Sequence, residues 1–375
     1  MQPDYSGGGL LNLMASIVEA CGGRALHPGL KDFSLGEPRN LVLLIVDGLG
    51  DNYLMRRGGE LAARRRRALT SVFPSTTASA ITTSYTGCTP LEHGLTGWFT
   101  YFGEAACVAA SLPFRSRGDM RPLAARGVRP DEIYLRPSIF QQIPIRSIVV
   151  TFKDIVDSEY NVHHCRGAER VAYETLDELV SHTERLVKGS NERKFIYAYW
   201  PIYDQTSHRF GCESGEAAAE HGKIDAAFAE LCRRLASTDT VLLATADHGF
   251  LDVPPEDSLE LPSSLASQLR FPLCGERRIA YCHVHAPDDF MRKAKDWLGE
   301  RADVLPSSEL RQQGWFGGGT PHPRFAERIG DVALVMRNRY TVKDWVAGES
   351  RHLHIGNHGG PSDDEMLIPL VMEEL

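Results

Sequence analysis

The sequence contains no long hydrophobic run, no closely spaced cysteine pair and no leader-like start. No apolar stretch among its 375 residues approaches the ~18 to 20 residues that cross a bilayer. The first residues, MQPDYSGGGLLNLM, lack the basic start and apolar core of a secretory signal. The eight cysteines are scattered without a CxxC pair, and a chain of this length needs no disulfides. We therefore expect a soluble, cytoplasmic protein with reduced thiols and no membrane partner.

Positive charge is not in excess either. The net charge is −8 at pH 7, whereas nucleic-acid binders usually carry a basic binding face. The one basic run, RRRR at Arg64 to Arg67, is predicted to be a solvated helix face. Nucleic acid is therefore not an expected partner, and the sequence leaves the oligomeric state open.

Three segments have the apolar, β-branched character of buried parallel strands, and each runs into an acid. NLVLLIVDGLG reaches Asp47, KFIYAYWPIYD reaches Asp204, and DTVLLATADHG reaches Asp247 and His248. Because helical patterns lie between them, we predict an α/β fold with a mostly parallel central sheet covered on both faces. Ligands bind beyond the carboxyl ends of the strands in such sheets, so the three acids indicate a site.

Two segments rich in Pro, Gly and Ser interrupt this pattern. They span residues 101–137 and 251–319, and we interpret them as insertions. Residues 251–319 are predicted to form a smaller cap that shapes substrate specificity. The sequence shows no internal repeat, and we predict a single catalytic domain over residues 1–375.

Short motifs add histidines to the acids. DQTSH places Asp204 and His208 four residues apart, on one face of a helical turn. ADHG ends in a glycine turn, which lets Asp247 and His248 serve one centre. GNHGG holds His358 between glycines, an arrangement more typical of a ligand on a tight, exposed backbone than of a core histidine.

Together these residues mix oxygen and nitrogen donors. Such a set suits zinc, tolerates manganese and is too rich in nitrogen for magnesium or calcium. Six ligands can hold two cations, and two metals ~4 Å apart would clamp the attacking and leaving oxygens of a displacement at phosphorus. The candidate ligands are Asp47, Asp204, His208, Asp247, His248 and His358.

The uncharged stretch FPSTTASAITTSYTG carries serine or threonine at eight of its fifteen positions. We predict a helix from Thr77 to Thr86 that stops at Gly87. The Thr77 hydroxyl would then lie where the helix dipole and free N–H groups favour an oxyanion. Ser75 or Thr76 is interpreted as the helix cap, and the later hydroxyls as small groups that allow close packing.

Five motifs together carry a family resemblance. The chain resembles the alkaline phosphatase superfamily, and most of all its type I phosphodiesterase/nucleotide pyrophosphatase family, in the order and spacing of VDGLG, FPSTTASAITTSYTGCTPLEHG, DQTSH, ADHG and NHGG. The resemblance spans Leu41 to Met372. It implies a three-layer α/β/α sandwich that hydrolyses phosphoric esters through a covalent threonine intermediate.

The resemblance also implies how two zinc ions, with manganese as the alternative metal, share the ligands. The implied first set is Asp47, Thr77, Asp247 and His248, and the implied second set is Asp204, His208 and His358. Counting along the family's helix puts the nucleophile at Thr77, with Thr76 as its rival.

The sequence departs from the family pattern where substrate binds. Phosphodiesterases of the family carry an asparagine shortly after the HG motif, and here Trp98 occupies that position. Trp98, Tyr203 and Phe250 are predicted to form an aromatic rim that stacks on a base or an aryl group. No arginine lies between Phe73 and Trp98, which favours diesters or pyrophosphates over monoester dianions.

The expected partners are therefore small phosphate esters or nucleotides. Two enzymatic alternatives use the same site, a phosphomonoesterase and a phosphonate hydrolase. A third alternative is a noncatalytic module that binds a phosphorylated ligand.

Overall fold

Two seven-stranded sheets organise the chain, which this computed structural model describes over residues 1–349 and 351–375. The strands in chain order are β1 Asn40–Val46, β2 Arg65–Thr70, β3 Phe99–Phe102, β4 Cys107–Ala110, β5 Arg115–Ser116, β6 Arg146–Phe152, β7 Glu169–Tyr173, β8 Lys194–Trp200, β9 Thr240–Thr245, β10 Leu251–Asp252, β11 Ser258–Glu260, β12 Cys274–Gly275, β13 Ile279–Cys282, β14 Ala302–Pro306, β15 Val332–Met336, β16 Thr341–Lys343, β17 Gly356–Asn357 and β18 Leu367–Glu374.

The helices range from single turns to one of 21 residues. In chain order they are α1 Leu10–Ala20, α2 Asp51–Arg57, α3 Glu60–Ala63, α4 Thr77–Thr86, α5 Pro90–His93, α6 Pro130–Ile133, α7 Glu159–His164, α8 Leu176–Lys188, α9 Ile202–Phe210, α10 Gly215–Leu235, α11 Ser263–Ala266, α12 Pro287–Leu298, α13 Ser307–Gln312, α14 Phe325–Ile329 and α15 Asp363–Met366. Among the described residues, none of these helices combines the length and the apolar character needed to cross a bilayer.

The central sheet has the strand order β2-β18-β9-β1-β8-β6-β7. β1 pairs in parallel with β8 and β9, and β6 pairs in parallel with β7 and β8. β18 pairs antiparallel with both β2 and β9. The α/β fold is thus confirmed, but the sheet is mixed. β18 begins at the edge where β2 and β9 end, and from there it can only run back along them.

The second sheet has the order β14-β15-β13-β12-β3-β4-β5, with antiparallel pairing throughout. Its strands come from two distant parts of the chain, 99–116 and 274–336. Both predicted insertions therefore contribute strands to this one sheet. The single-domain division and the cap role of residues 251–319 stay predictions.

The basic run lies in a strand rather than on a helix. β2 begins at Arg65 and forms an edge of the central sheet, where it pairs with β18. Arg65 Nε lies 2.5 Å from Asp51 Oδ1. The prediction of a helix face was wrong because charged side chains also suit an exposed strand edge, where they discourage pairing with other chains.

A buried ion pair connects the second sheet to α15, the short helix before β18. Arg278 Nε and Nη2 donate to the two carboxylate oxygens of Glu365 at 3.1 and 3.0 Å. Both side chains are almost fully buried. Glu365 also accepts from the backbone N–H of Gly360 at 2.7 Å and the hydroxyl of Ser362 at 2.5 Å. Four donors therefore satisfy one carboxylate, and the two from Arg278 hold α15 against the sheet.

Replacing Arg278 alone should be costly because it leaves the Glu365 carboxylate buried without its cation. We expect Arg278→Met to lower the free energy of unfolding by about 3 to 5 kcal/mol. The double variant Arg278→Met/Glu365→Met should recover part of that loss. Denaturant unfolding of the three proteins provides the measurement, and equal stabilities of Arg278→Met and the unmutated protein would contradict the role given to this pair.

Candidate metal and nucleophile site

Three carboxylates meet at the carboxyl edge of the central sheet. Residue pairing aligns Val46 at the end of β1 with Trp200 at the end of β8, and β9 ends at the level of β1. Asp47 directly follows β1, Asp247 lies two residues after β9, and Asp204 lies in the first turn of α9. The three strands are buried along their whole length. Their apolar packing therefore fixes the positions of the three acids that follow them.

Hydrogen bonds orient two of these carboxylates. One Asp247 oxygen, Oδ1, accepts from the backbone N–H groups of Gly48 and His248, each at 3.0 Å. The Tyr199 hydroxyl donates to Asp47 Oδ2. Each carboxylate thus keeps its other oxygen for a different partner.

All three histidines of the candidate set use Nδ1 in the same way. His208, His248 and His358 place Nδ1 at 2.9, 3.1 and 3.2 Å from a backbone carbonyl oxygen. Donation from Nδ1 leaves the Nε2 lone pair free to bind a cation, which is the usual arrangement of metal-binding histidines.

The Nε2 atoms converge on the carboxylates. Asp204 Oδ1 lies 3.4 Å from Nε2 of His208, 3.7 Å from that of His358 and 4.0 Å from that of His248. His248 Nε2 is also 3.3 Å from Asp47 Oδ1. The sixth residue, the Asp247 carboxylate, joins through Oδ2, which is 3.5 Å from His248 Nε2. The structure therefore brings all six predicted ligands together, and their role as ligands stays a prediction.

Burial strongly shifts the pKa values of the residues in this cluster. It raises the pKa of Asp47 to about 6 and that of Asp247 to about 7, and the charge of Asp47 adds to the effect on Asp247. Burial also raises the pKa of Asp204 well above its usual range and lowers the pKa of His208 to about 3. Both directions disfavour charge, so the carboxylates are ionised at neutral pH only at a cost that a bound cation would offset.

The donor set fits a divalent metal. Two buried oxygens in the cluster, Asp204 Oδ1 and Asp247 Oδ2, have no hydrogen-bond partner among the described residues. Buried oxygens without a partner are costly in a folded protein. Two triads, each with ligand atoms within 4.8 Å of one another, share His248: Asp47, Asp247 and His248, and Asp204, His248 and His358.

Glycine lets the His358 loop approach the second sheet. Gly359 has φ +109°, and a Cβ atom there would lie 2.7 Å from the Cβ of Glu276. The next residue, Gly360, donates to the buried Glu365 carboxylate described above. Position 359 thus requires glycine both for its backbone conformation and for space.

The predicted nucleophile begins its helix as expected. α4 spans Thr77–Thr86, and Gly87 ends it with φ +65° in the left-handed region. Thr77 Oγ1 lies 3.2 Å from His248 Nε2 and 3.4 Å from Asp47 Oδ1. The hydroxyl therefore borders the cluster at the N-terminus of a helix, where the dipole favours negative charge.

The other hydroxyls of α4 bond inside the protein. The helix is buried over its full length. Ser79 Oγ donates to the Leu95 carbonyl at 2.9 Å, and Thr82 and Ser84 pair with tyrosine hydroxyls at 2.7 Å. Thr86 donates to the Thr82 carbonyl at 2.6 Å. Small polar residues thus let an uncharged helix pack closely on all sides.

The expected cap of α4 by Ser75 or Thr76 was wrong. Thr76 occupies the N-cap position of α4, but its side chain makes no capping hydrogen bond. Ser75 Oγ donates instead to the Gly360 carbonyl at 2.7 Å, and Thr76 Oγ1 donates to Glu276 Oε1 at 2.6 Å. Partners from distant loops satisfy both hydroxyls, which leaves the first N–H groups of α4 without a side-chain acceptor.

Two cavities adjoin the site, with volumes of about 390 and 790 Å³. Thr77, Trp98 and Asp204 line both of them. The smaller cavity continues along His208 and His358 toward the second sheet, and the larger one continues toward α7 and the end of β6. A phosphorus atom at Thr77 would therefore have room for a substituent on either side.

The three predicted rim aromatics have different positions. Trp98 is 37% exposed and lines both cavities. Tyr203 is fully buried against Tyr53, with ring centroids 5.5 Å apart, and it lines neither cavity. Phe250 lies edge-on against the histidines, 5.0 Å from His208 by ring centroid, and also lies outside both cavities. Only Trp98 is thus in a position to stack on a substrate.

Sequence reasoning missed two residues near the nucleophile. Tyr199 is one of several aromatics in β8, and nothing in the sequence marks it as the partner of Asp47. Glu276 Oε1 accepts from the Thr76 hydroxyl and from the backbone N–H of Trp98, each at 2.6 Å. Burial raises the pKa of Glu276 to about 7. Its role depends on a contact between sequence-distant segments that no local motif encodes.

Comparison with known proteins places this geometry in context. A family model described as type I phosphodiesterase/nucleotide pyrophosphatase matches residues 41–361. No curated protein matches the chain.

Solved structures share the fold at low identity. Murine ectonucleotide pyrophosphatase/phosphodiesterase 5, as an inactive variant in complex with AMP, superposes with a TM-score of 0.65 at 15% identity, covering 88% of this chain and 87% of that chain. Phosphonoacetate hydrolase from Sinorhizobium meliloti 1021, in complex with phosphonoacetate, gives a TM-score of 0.63 at 18% identity, covering 89% and 90%.

Metal should stabilise the fold, because a cation relieves repulsion among the buried carboxylates. We expect zinc at a hundredfold excess over its Kd to raise the Tm of chelator-treated protein by roughly 5 °C. Protons compete for the same donors, so the shift should shrink at pH 5.5. Asp247→Asn should reduce it, while Asp303→Asn, at an exposed ion pair with Arg337, should not. A Tm indifferent to chelator and zinc would contradict the metal site.

Proposed function

Because the chain belongs to the type I phosphodiesterase/nucleotide pyrophosphatase family, whose members are metal-dependent hydrolases of phosphoester bonds, we propose that it is a two-metal phosphodiesterase or nucleotide pyrophosphatase with Thr77 as its nucleophile. The observation that carries this proposal is the position of Thr77 Oγ1, 3.2 Å from His248 Nε2 and 3.4 Å from Asp47 Oδ1. This position places a buried hydroxyl, at a helix N-terminus, beside the proposed metal-binding cluster.

The six converging residues and Thr77 would hold two cations, with zinc favoured by the mixed donors and manganese as the alternative. When bound, divalent cations would lower the pKa of the threonine hydroxyl and neutralise phosphoryl oxygens. We assign one ion to Asp47, Thr77, Asp247 and His248, and the other to Asp204, His208 and His358.

Thr77 would carry out the covalent step. Its Oγ1 loses its proton and forms a bond to phosphorus while the bond from phosphorus to the departing oxygen breaks, and the proton leaves with the departing group. Water then cleaves the bond between Thr77 and phosphorus, which restores the hydroxyl and releases the product. The uncapped N-terminus of α4 supplies N–H groups that favour the negative charge of the phosphoryl oxygens.

The cavities support a diester or pyrophosphate substrate. Such a substrate carries a substituent on each side of the reacting phosphorus, and cavities lie on both sides of Thr77. Trp98 lies between them and offers an aromatic face for a base or an aryl group. The complex of a structural neighbour with AMP is consistent with an arm of nucleotide size.

Thr77→Ala should lower kcat by at least about a thousandfold while leaving the fold intact, because it removes the nucleophilic oxygen. Thr77→Ser should keep substantial activity because the oxygen survives. Thr76→Ala, which removes only the bond to Glu276, provides the matched control and should lose far less. Turnover of an aryl diester, with circular dichroism as a check of folding, measures all three. A more active Thr77→Ala than Thr76→Ala would move the nucleophile to Thr76.

The proposed substrate class predicts a preference for two-armed substrates. We expect kcat/KM for an aryl diester or aryl phosphonate monoester to exceed that for the matching phosphate monoester. Trp98→Ala should lower the diester value more than the monoester value because only the diester has an arm for the ring to contact. Assays on one metal-analysed preparation, with a nucleoside triphosphate alongside, decide the class. A clear monoester preference would favour a phosphomonoesterase, and no turnover of any substrate would favour a noncatalytic binding module.

A further inference from the structure

The smaller cavity beside Thr77 contains two basic side chains for which the proposed chemistry gives no role. Arg277, in the turn between β12 and β13, and Lys343, at the end of β16, both line it. His208 and His358 line the same cavity. A ligand that reaches the metal cluster from this side therefore passes both cations.

The acids around this cavity already have partners. Arg117 Nε lies 2.7 Å from Glu349 Oε1, and Arg117 Nη2 lies 2.7 Å from Asp344 Oδ1. Glu276 accepts from the Thr76 hydroxyl and the Trp98 N–H, as described above. Arg117 itself is buried within this arrangement, with its side chain 2% exposed. One arginine and two carboxylates thus form a closed network.

Arg277 and Lys343 stay outside that network. Arg277 donates from Nη2 to the His352 carbonyl at 3.0 Å. The ion pairs that Asp344 and Glu349 form with Arg117 and Lys343 do not include Arg277. Lys343 Nζ is 3.9 Å from Glu349 Oε2, which Arg117 already binds, and 4.2 Å from the centre of the Trp345 ring. Neither cation has a carboxylate of its own.

The charge of Arg277 also disfavours the charge of Lys343. Burial, with the charge of Arg277 next in size, lowers the pKa of Lys343 to about 8. Burial lowers the pKa of Arg277 to about 10. Both side chains keep their charge at neutral pH at a cost that an anion in the cavity would offset.

We propose that Arg277 and Lys343 form an anion subsite that binds a second negatively charged group, a carboxylate or a phosphate, on the organic arm of the substrate. The subsite rests on the proposed function and narrows its substrate class to phosphoryl compounds with an anionic arm. Arg277 offers a planar pair of donors and Lys343 a point charge, and both features suit carboxylate and phosphate oxygens.

Matched substrates test the subsite directly. Three diesters of 4-nitrophenol share the leaving group and differ in the end of the second arm, which is a carboxylate, a phosphate or an uncharged carboxamide of similar size. We expect kcat/KM for an anionic arm to exceed that for the carboxamide arm by about tenfold or more, because a hydrogen bond to a charged group contributes more than a neutral one. The better of the two anionic arms identifies the source of the charge.

Variants assign the preference to these two residues. Arg277→Met and Lys343→Met should each lower the ratio of anionic to carboxamide kcat/KM, and the double variant should bring it close to one. Lys153→Met removes a cation from the larger cavity and should leave the ratio unchanged. The proposal is overturned if the unmutated enzyme shows no preference for either anionic arm, or if the double variant retains the preference.

A binding measurement separates this proposal from the proposed function. The metal-loaded Thr77→Ala protein should bind the anionic diesters more tightly than the carboxamide diester, and Arg277→Met/Lys343→Met in that background should abolish the difference. Tighter binding without turnover by the unmutated enzyme would contradict the hydrolase and keep the subsite. Turnover with equal binding of all three diesters would support the hydrolase and overturn the subsite.

Discussion

Repulsion among three buried carboxylates is the constraint around which this protein is built. Asp47, Asp204 and Asp247 lie at the same edge of one sheet because β1, β8 and β9 are neighbours whose ends are aligned. A purely structural protein would gain stability by replacing such acids with apolar residues. A bound cation would offset the cost of these acids, and the histidine donors come from α9 and from the segments after β9 and β17.

Those donors depend on backbone groups rather than on other side chains. Each of the three histidines is fixed through a peptide carbonyl, so the positions of Gly249, Gly356 and Ser75 determine where the Nε2 atoms point. Ser75 precedes α4, and its hydroxyl binds the loop that holds His358. The nucleophile and one of the proposed metal ligands are thus positioned by the same short segment.

The sequence predicted the parts of the site that lie within continuous motifs. Buried strands that end in acids, and the limits of α4, follow from local pattern and are present in the structure. Contacts between segments that are distant in sequence could not be predicted in this way. Tyr203 follows β8 closely and precedes Asp204 directly, yet the turn into α9 buries its ring against Tyr53. The sequence suggests Thr76 as a cap, but its hydroxyl donates a hydrogen bond to Glu276, 200 residues away.

The second sheet has a seam, the contact between β12 and β3, that affects how substrate selectivity can change. β12 meets β3 through a single aligned pair, Gly275 with Phe99, and the two sides of that seam come from segments more than 150 residues apart in sequence. Residues on both sides line the smaller cavity. The wall of the smaller cavity therefore cannot be exchanged as one segment. A homologous segment that replaced residues 251–319 alone would still have to pack against the unchanged β3. Selectivity in such an architecture is more readily altered by point substitutions in the wall than by exchange of a whole loop.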